Sequence, residues 1–335
     1  MRVGVIGAGR IGALHAANLA ELAEIDEVVI TDRDRTRAAQ LGNRIGAATT
    51  EDVVAAVDAG IDAAVVATPT PTHADLVLTL ARAGLPVFCE KPVASDIAST
   101  IAVLKEVEAA GTALQVGFQR RFDAGYQALR DAVRAGRLGR LHGLHAVTAD
   151  PAPPPASYIA SSGGIFRDCS VHDFDAIRWV TGREIVEVYA TGSNSGEPFF
   201  VDAGDVDTGV ATLTVDDGTL ATVYASRYNG AGYDVRLEVS GVAGTLVAGL
   251  DGHAPILSAE PGVVSRPEAV YQHFGDRFAG AYRAELGAFV DVVAGRIGSP
   301  CTGEEALEAL LVADAAELSR AERRPVRVEE VRAAL

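Results

Sequence analysis

The chain opens on a short apolar run that passes directly into a glycine-rich turn, and this feature restricts the possible folds more than any other. Residues 2–7, RVGVIG, have the apolar character of a buried strand, and Gly7-Ala8-Gly9-Arg10-Ile11-Gly12 overlaps its end as G-x-G-x-x-G. The pattern from Arg10 to about Leu22 is helical, and EVVITD (Glu27–Asp32) predicts a second strand that ends on an acid. This order of elements predicts parallel β-α-β units of a doubly wound sheet.

The three glycines of this turn each meet a physical requirement of a dinucleotide site. Gly7 permits the tight turn, Gly9 lets the backbone approach a pyrophosphate, and Gly12 lets the helix lie close to the strand. Arg10 and Ile11 begin the helix, whose N-terminal N–H groups favour phosphate. A purely structural glycine turn is the alternative, and the strand before it and the helix after it favour the binding site.

The acid at the end of the second strand indicates which dinucleotide is bound. Asp32 is placed to accept hydrogen bonds from the adenosine ribose hydroxyls and to repel the extra phosphate of NADP, so NAD is favoured. Arg33, Arg35 and Arg37 follow it, and an arginine there is able to hold a 2′-phosphate. The simpler interpretation of these arginines is an exposed basic helix face, and use of NADP stays open.

The rest of the chain falls into two parts with different patterns. Strand–helix alternation continues through Asp62–Pro69, Pro86–Pro92 and Ala113–Asp123, which predicts an α/β Rossmann domain over residues 1–122. Closely spaced strand-like segments follow at about 141–148, 185–193, 207–215, 219–228, 233–240 and 245–250, and Asp216-Asp217-Gly218 is a hairpin turn signal. We expect residues 123–335 to form an α+β substrate and oligomerisation domain with a large, mainly antiparallel open sheet. Helices at about 278–294 and 303–320 close the chain, with packing back onto the first domain as an option.

Composition excludes several classes of function. A formal net charge of −16 over 335 residues, with no Lys/Arg cluster, disfavours nucleic acid as a partner. No apolar run reaches the length of a membrane helix, and the immediate N-terminal strand leaves no room for a signal peptide, so we expect a cytoplasmic protein. Three widely spaced cysteines suggest no disulfide framework, and no His/Cys/Asp cluster has the spacing of metal ligands. We therefore expect no metal.

A second informative stretch lies in the C-terminal half, at GGIFRDCSVHDFDAIRW (residues 163–179). It predicts a Gly-Gly turn followed by a helix on which Asp168, His172 and Asp175 recur at i, i+4 and i+7 and share one face. Such groups are costly to bury without partners, so a local salt bridge, a metal site and a catalytic site are the alternatives. We expect Asp175 to be a supporting or packing residue and Trp179 to lie in the core.

Two further motifs stand where strands of the predicted parallel sheet end. They are Ala67-Thr68-Pro69-Thr70-Pro71-Thr72-His73 and Glu90-Lys91-Pro92. Together with the glycine turn, GFQRRFD (117–123), the stretch from Gly163 and TGEEALEALLVADAAELS (302–319), they resemble the GFO/IDH/MocA oxidoreductases over nearly the whole chain. The closest likeness is to inositol 2-dehydrogenases and related sugar dehydrogenases, including levoglucosan dehydrogenase. The resemblance implies a homotetramer or dimer that pairs its open sheets.

The resemblance also implies roles for individual residues. Lys91, Asp168 and His172 surround a secondary alcohol beside the nicotinamide: His172 suits the base, Lys91 stabilises the alkoxide, and Asp168 orients the imidazole or binds a neighbouring hydroxyl. The cofactor-binding set is Gly7, Gly9, Arg10, Ile11, Gly12, Asp32, Arg33, Thr68, Pro69, His73, Glu90 and Lys91. The substrate-binding set is Lys91, Gln119, Arg120, Tyr158, Asp168 and His172.

Several of these assignments keep an alternative. His73 either contacts the nicotinamide side or caps the helix after Pro71, and Arg120 and Arg121 either bind substrate hydroxyls or form an interdomain ion pair, which is favoured for Arg121. Gln119 is a departure, because inositol dehydrogenases commonly carry an apolar residue there. An NAD-assisted glycosidase, for which an additional tyrosine or carboxylate acid would be diagnostic, and a non-catalytic nucleotide sensor are the competing functions.

Overall fold

The computed structural model describes residues 1–262 and 269–334, and the chain folds into two compact units. The first unit consists of Met1–Phe122 and Gly280–Leu307. The second consists of Asp123–Ala279 and Glu308–Leu335. No helix in the described part of the chain is both long and apolar enough to cross a membrane.

The first unit contains a six-stranded sheet in which all strands run parallel. Its strands are β1 (Arg2–Ile6), β2 (Glu27–Thr31), β3 (Ala48–Thr50), β4 (Ala63–Val66), β5 (Val87–Glu90) and β6 (Leu114–Gly117). The spatial order β3-β2-β1-β4-β5-β6 is that of the doubly wound dinucleotide-binding fold, with the reversal between β1 and β4. The predicted Rossmann sheet is therefore confirmed.

Helices connect these strands, and several of them begin directly after an aspartate that caps a segment with a buried apolar face. They are α1 (Arg10–Ala20), α2 (Arg35–Ile45), α3 (Val53–Asp58), α4 (His73–Arg82) and α5 (Ile97–Ala110), with 3₁₀ turns at Thr70–Thr72 and Gln119–Phe122. Asp34, Asp52 and Asp96 cap α2, α3 and α5 by accepting backbone N–H groups of the first turn. The stretch expected as a strand over Ala113–Asp123 is a strand only to Gly117, after which the chain turns into the second 3₁₀ segment.

The second unit contains a seven-stranded mixed sheet. Its strands are β7 (Leu141–Ala149), β8 (Ile185–Ser193), β9 (Thr208–Val215), β10 (Leu220–Ser226), β11 (Asp234–Gly241), β12 (Gly244–Ala248) and β13 (Val326–Arg327), in the order β12-β11-β7-β10-β9-β8-β13. Only β7 and β10 pair in parallel, so the sheet is mainly antiparallel, as predicted. The Asp216-Asp217-Gly218 turn joins β9 to β10, with Gly218 at φ 85°.

Alternating burial along the central strands shows that one face of this sheet packs inward. In β9 and β10 the inward residues Ala211, Leu213, Ala221 and Val223 are buried, while the residues between them are exposed or half-buried. The remaining helices are α6 (Ala124–Arg134), α7 (Ala156–Ile159), α8 (Val171–Thr181), α9 (Phe199–Asp202), α10 (Phe274–Arg277), α11 (Ala279–Val293), α12 (Gly303–Glu322) and α13 (Val328–Ala333), and a π-helical turn spans Phe166–Ser170. Nearly all of α11 belongs to the first unit, where Leu286 and Phe289 join the apolar core around α1.

Candidate active site

The glycine turn between β1 and α1 has two glycines that the fold requires and one that it does not. Gly7 adopts φ +106°, and a Cβ there would lie 2.6 Å from the carbonyl oxygen of Ala67. A Cβ on Gly12 would lie 2.9 Å from the carbonyl carbon of Gly7, and closer still to its oxygen. A Cβ on Gly9 would meet no atom within 4 Å. The open space at Gly9, at the N-terminus of α1, fits a pyrophosphate that approaches the backbone.

Asp32 lies beside this turn and is fixed by backbone contacts. One carboxylate oxygen accepts the Ala8 N–H and the other accepts the Asp34 N–H, both at 2.7 Å. Each oxygen keeps a second lone pair, which is what a ribose diol requires. Asp32 is therefore held in an orientation that suits an adenosine ribose.

The three arginines after Asp32 differ in their partners. Arg35 pairs with Glu51 at 2.9 Å, and Arg37 lies 3.4 Å from Asp34 and 3.6 Å from Asp32. Arg33 is exposed and pairs with no carboxylate of the described residues. Of the three, Arg33 is thus the arginine that an adenosine 2′-phosphate could recruit without breaking an ion pair.

His73 lies between two backbone carbonyl groups. Its ring is buried, with 1% of its surface exposed, and its Nδ1 and Nε2 lie 2.7 Å from the carbonyl oxygens of Pro92 and Thr68. The imidazole therefore ties the turn after β4, which carries Thr68 and Pro69, to the turn after β5, which carries Lys91. Both ring nitrogens face these carbonyls, and the N-cap position of α4 is held by Thr72.

A partner of Glu90 was not anticipated from the sequence. His15 of α1 is completely buried, and its Nε2 lies 2.6 Å from Glu90 Oε1. The pair connects the helix that follows the glycine turn to the residue beside Lys91. A histidine within the apolar stripe Gly12, Ala16, Leu19 was the available signal, because a polar side chain on a buried helix face needs a partner.

Gln119, Arg120 and Arg121 are all buried, with 5%, 2% and 3% of their surfaces exposed. Arg121 donates to Glu305 Oε2 at 2.7 Å and to the Pro300 carbonyl at 3.1 Å. Pro300 and Glu305 both belong to the first compact unit, so this ion pair lies within one unit.

In the second unit, the expected helix after the Gly-Gly turn begins with a π-helical turn. Gly163 and Gly164 have φ values of 82° and 97°, and a Cβ on Gly164 would lie 2.5 Å from Glu317 Oε1. Phe166–Ser170 is π-helical, and α8 starts only at Val171. The prediction of one α-helical face was therefore wrong at its first member, because the wider π turn places Asp168 outside the α8 repeat.

The three polar residues of this stretch consequently have different environments. The Asp168 side chain is 11% exposed, and His172, on the first turn of α8, is half-buried. Asp175 is completely buried, in agreement with a packing role. Trp179 is half-buried rather than in the core, and the Arg130 guanidinium lies 4.2 Å from its ring centroid.

Asp168 is held by two side chains from other elements. Tyr158 of α7 donates its hydroxyl to Oδ1 at 2.8 Å, and Arg227 Nη2 donates to Oδ2 at 2.7 Å. Tyr158 is 45% exposed as a residue, but burial of its hydroxyl end and the Asp168 charge raise the pKa of the phenol far above its ordinary value. Arg227 was missed because an arginine after an apolar strand carries no local signal of its partner.

The described residues contain no group of three or more His, Cys, Asp or Glu side chains arranged to hold a metal ion. Cys89, Cys169 and Cys301 are buried and form no disulfide within the described residues. Of the residues predicted to be catalytic, Lys91 lies in the first unit, and Asp168 and His172 lie in the second.

Two family models and several known proteins match this chain. The model described as "Oxidoreductase family, NAD-binding Rossmann fold" matches residues 1–118, and that of the GFO/IDH/MocA C-terminal domain matches residues 126–247. The chain is 42% identical to a myo-inositol dehydrogenase, Hyg17, of Streptomyces leeuwenhoekii over 95% of this chain and 97% of that one. It is 37% identical to the myo-inositol 2-dehydrogenase of Thermotoga maritima over 99% of both.

A solved structure gives the same result. The scyllo-inositol dehydrogenase of Lactobacillus casei, with NAD(H) and scyllo-inositol bound, superposes with a TM-score of 0.89 at 30% identity and covers 98% of this chain and 99% of that chain. The fold of this chain thus occurs in a protein whose structure holds NAD(H) and scyllo-inositol. The chain belongs to the GFO/IDH/MocA family of NAD-binding oxidoreductases.

Proposed function

We propose that this protein uses NAD to oxidise a secondary alcohol of a cyclic polyol or sugar, such as an inositol, an anhydrosugar or an aldose. The observation that carries the proposal is the full-length likeness to a dehydrogenase whose structure holds both NAD(H) and scyllo-inositol. Gly7, Gly9, Gly12 and Asp32 would hold the cofactor, which supplies the hydride acceptor. An NAD-binding glycine turn alone would also suit a sensor, so the substrate side needs its own support.

That support comes from the residue types at three positions. Oxidation of the alcohol sends a hydride to the nicotinamide and a proton to a base, for which the half-buried His172 is suited. A cationic Lys91 would stabilise the developing alkoxide. Asp168, held by Tyr158 and Arg227, offers a fixed carboxylate to a substrate hydroxyl or to the imidazole.

The glycosidase alternative receives a specific observation, since a tyrosine does lie beside Asp168. The raised pKa of Tyr158 means that its phenol keeps its proton, and this proton is donated to the carboxylate. Tyr158 is therefore a neutral donor whose proton is directed to Asp168 Oδ1 and not to a leaving group. We favour the dehydrogenase, and release of nitrophenol from nitrophenyl glycosides in the presence of NAD would instead support the glycosidase.

The decisive experiment is an NADH-absorbance screen of inositols, anhydrosugars and aldoses with NAD and with NADP. We expect NAD-dependent turnover of at least one cyclic polyol, and Lys91→Met and His172→Ala to abolish it while NAD affinity stays close to wild type. Lys105→Met is the matched control, because Lys105 is the only other lysine of the chain and is exposed on α5. An inert wild-type NAD complex would support the sensor, and full activity of both variants would refute the site.

We further propose that copies of the chain pair through the outward face of the seven-stranded sheet and that the protein works in the cytoplasm. Tyr189, Val210 and Leu220 are 45%, 40% and 54% exposed on that face, and an uncovered apolar sheet face is costly. Free buried thiols suit a reducing compartment. We expect a dimer or tetramer in sedimentation equilibrium and smaller species for Val210→Glu; a monomeric wild type would refute the pairing.

A further inference from the structure

Arg227 follows β10 directly and is almost completely buried, with 3% of its surface exposed. Its backbone N–H donates to the Asp207 carbonyl at 2.8 Å, which fixes the start of the side chain. Its guanidinium is shared by two carboxylates: Nη2 donates to Asp168 Oδ2 at 2.7 Å, and Nη1 donates to Asp150 Oδ2 at 3.2 Å. Nε has no hydrogen-bond partner among the described residues, so these two carboxylates accept the hydrogen bonds of the side chain.

Asp150 is the outer member of this group. It follows β7, its N–H donates to the Ser226 carbonyl at 2.9 Å, and its side chain is 26% exposed, against 11% for Asp168. The two carboxylates thus come from different elements and accept hydrogen bonds from different nitrogens of one planar guanidinium. The single ammonium group of a lysine cannot reproduce this geometry. Burial opposes the charged form of Arg227, but the carboxylates of Asp168 and Asp150 raise its pKa beyond the ordinary value, so the guanidinium stays cationic.

The result for Asp168 is that both carboxylate oxygens are oriented. Oδ2 accepts from the guanidinium and Oδ1 accepts from the Tyr158 hydroxyl, so the orientation of the carboxylate plane is fixed. An unpaired carboxylate at 11% exposure would instead tend to take up a proton and lose its acceptor function.

We propose that Arg227 is the positioning residue of the site, anchored by Asp150, and that it keeps Asp168 ionised and oriented as an acceptor during turnover. The inference rests on the proposed function, in which Asp168 contacts the substrate or His172. Asp168 then acts as a fixed acceptor and does not carry the proton that leaves the alcohol. Arg227 itself does not touch the reacting atoms.

The test compares Arg227→Met, Arg227→Lys and Asp150→Asn with Arg277→Met in the full-length protein. Arg277 is a matched control, because it is 7% exposed in its side chain, pairs with Asp123 at 2.7 Å in the same unit, and has no contact with Asp168. We expect Arg227→Met to lower kcat by about 100-fold, as a displaced catalytic group does, with NAD affinity unchanged. Its kcat/KM should fall more steeply than that of wild type on the acidic limb that His172 sets, because the Asp168 carboxyl loses its cation and takes up a proton more readily.

The other variants make the test specific to positioning. Arg227→Lys should recover part of kcat and return the acidic limb toward wild type, and added guanidinium should partly restore Arg227→Ala. Asp150→Asn should lower kcat less than Arg227→Met does. Arg277→Met should keep both the kcat and the pH profile of wild type. If Arg227→Met is poorly folded, Arg227→Lys carries the test through the same pH profile.

Two failures are distinguishable in this design. A wild-type enzyme that oxidises no polyol would refute the proposed function. An active wild type with Arg227→Met or Arg227→Lys unchanged in kcat and in the acidic limb would overturn the role of Arg227 alone. Equal losses of kcat in Arg227→Met and Arg277→Met would mean that the Arg227 ion pairs only stabilise the fold, and this also refutes the inference.

Discussion

Adding one methyl group to the glycine turn, at Gly12 or at Gly9, distinguishes the effect of the turn on stability from its effect on NAD binding. At Gly12 a Cβ would lie 2.9 Å from the Gly7 carbonyl carbon and 3.4 Å from the Ala67 Cβ. Carbon atoms pack at about 3.5–4.0 Å, so backbone must move by on the order of 1 Å. The obstacle is a carbonyl group that the structure holds through a 2.7 Å hydrogen bond from the Gly7 N–H to Thr31, so no side-chain rotation relieves it.

Moving α1 away from β1 would also disturb the core. Ala16 and Leu19 of α1 are completely buried against the sheet, and overpacking of such cores costs about 1–3 kcal/mol even when side chains can adjust. We therefore expect Gly12→Ala to lower the free energy of unfolding of the first unit by about 3 kcal/mol, the upper end of that range.

Gly9→Ala makes the same chemical change without the clash. Gly9 has φ −68°, which alanine adopts freely, and no atom lies within 4 Å of the added methyl group. Its effect on the free energy of unfolding should stay below about 1 kcal/mol, with a slight stabilisation from the stiffer unfolded chain. The methyl group would, however, occupy the space in which the pyrophosphate approaches the backbone, so NAD affinity should fall steeply.

Urea unfolding followed by far-ultraviolet circular dichroism, together with calorimetric titration of NAD, measures both effects. The single tryptophan, Trp179, lies in the second unit, so its fluorescence follows the unfolding of that unit separately. A difference between the fluorescence and circular dichroism curves would show that the two units do not unfold in one two-state transition. We expect Gly12→Ala to lower the urea midpoint and Gly9→Ala to keep it while losing NAD binding. Equal midpoints for Gly12→Ala and wild type, or an equal loss of stability in both variants, would refute the steric reasoning.

Three further predictions follow from single buried or paired groups. Burial raises the pKa of Glu317 above 4.5 despite the nearby Arg320. The folded state therefore binds a proton that the unfolded state releases, and the free energy of unfolding falls as pH rises from 4.5 through the folded pKa. Glu317→Gln should raise the urea midpoint at neutral pH and match wild type near pH 4.5. Asp32→Ser should improve the NADP-to-NAD ratio of kcat/KM by removing the repelling carboxylate, and the gain should vanish in the Asp32→Ser/Arg33→Ala double variant. Burial, followed by the charge of Glu90, raises the pKa of the Cys89 thiol well above its ordinary value, so mass spectrometry should find Cys89 unmodified by iodoacetamide in the native protein and modified in urea; rapid native labelling would contradict this.

Local patterns in the sequence were sufficient for five of the six strands of the first unit's sheet, and β3 was not predicted. The apolar strands, the glycine turn and the acid at the end of β2 are each defined within a few neighbouring residues, and their order is enough to predict a doubly wound sheet. The Asp216-Asp217-Gly218 turn and the strands on either side of it were likewise readable, because turn chemistry and side-chain alternation are local.

The sequence by itself therefore determined the architecture and the identity of the candidate catalytic residues, and only the tertiary structure decided what holds them. One partner of Asp168 is 59 residues away at Arg227, and a partner of Glu90 is 75 residues away at His15. No periodicity links such positions, because they meet only when separate strands and helices have packed. The π turn at Phe166–Ser170 has the same origin: the residue pattern also fits an α-helix, and the choice between the two is left to the packing around Asp168.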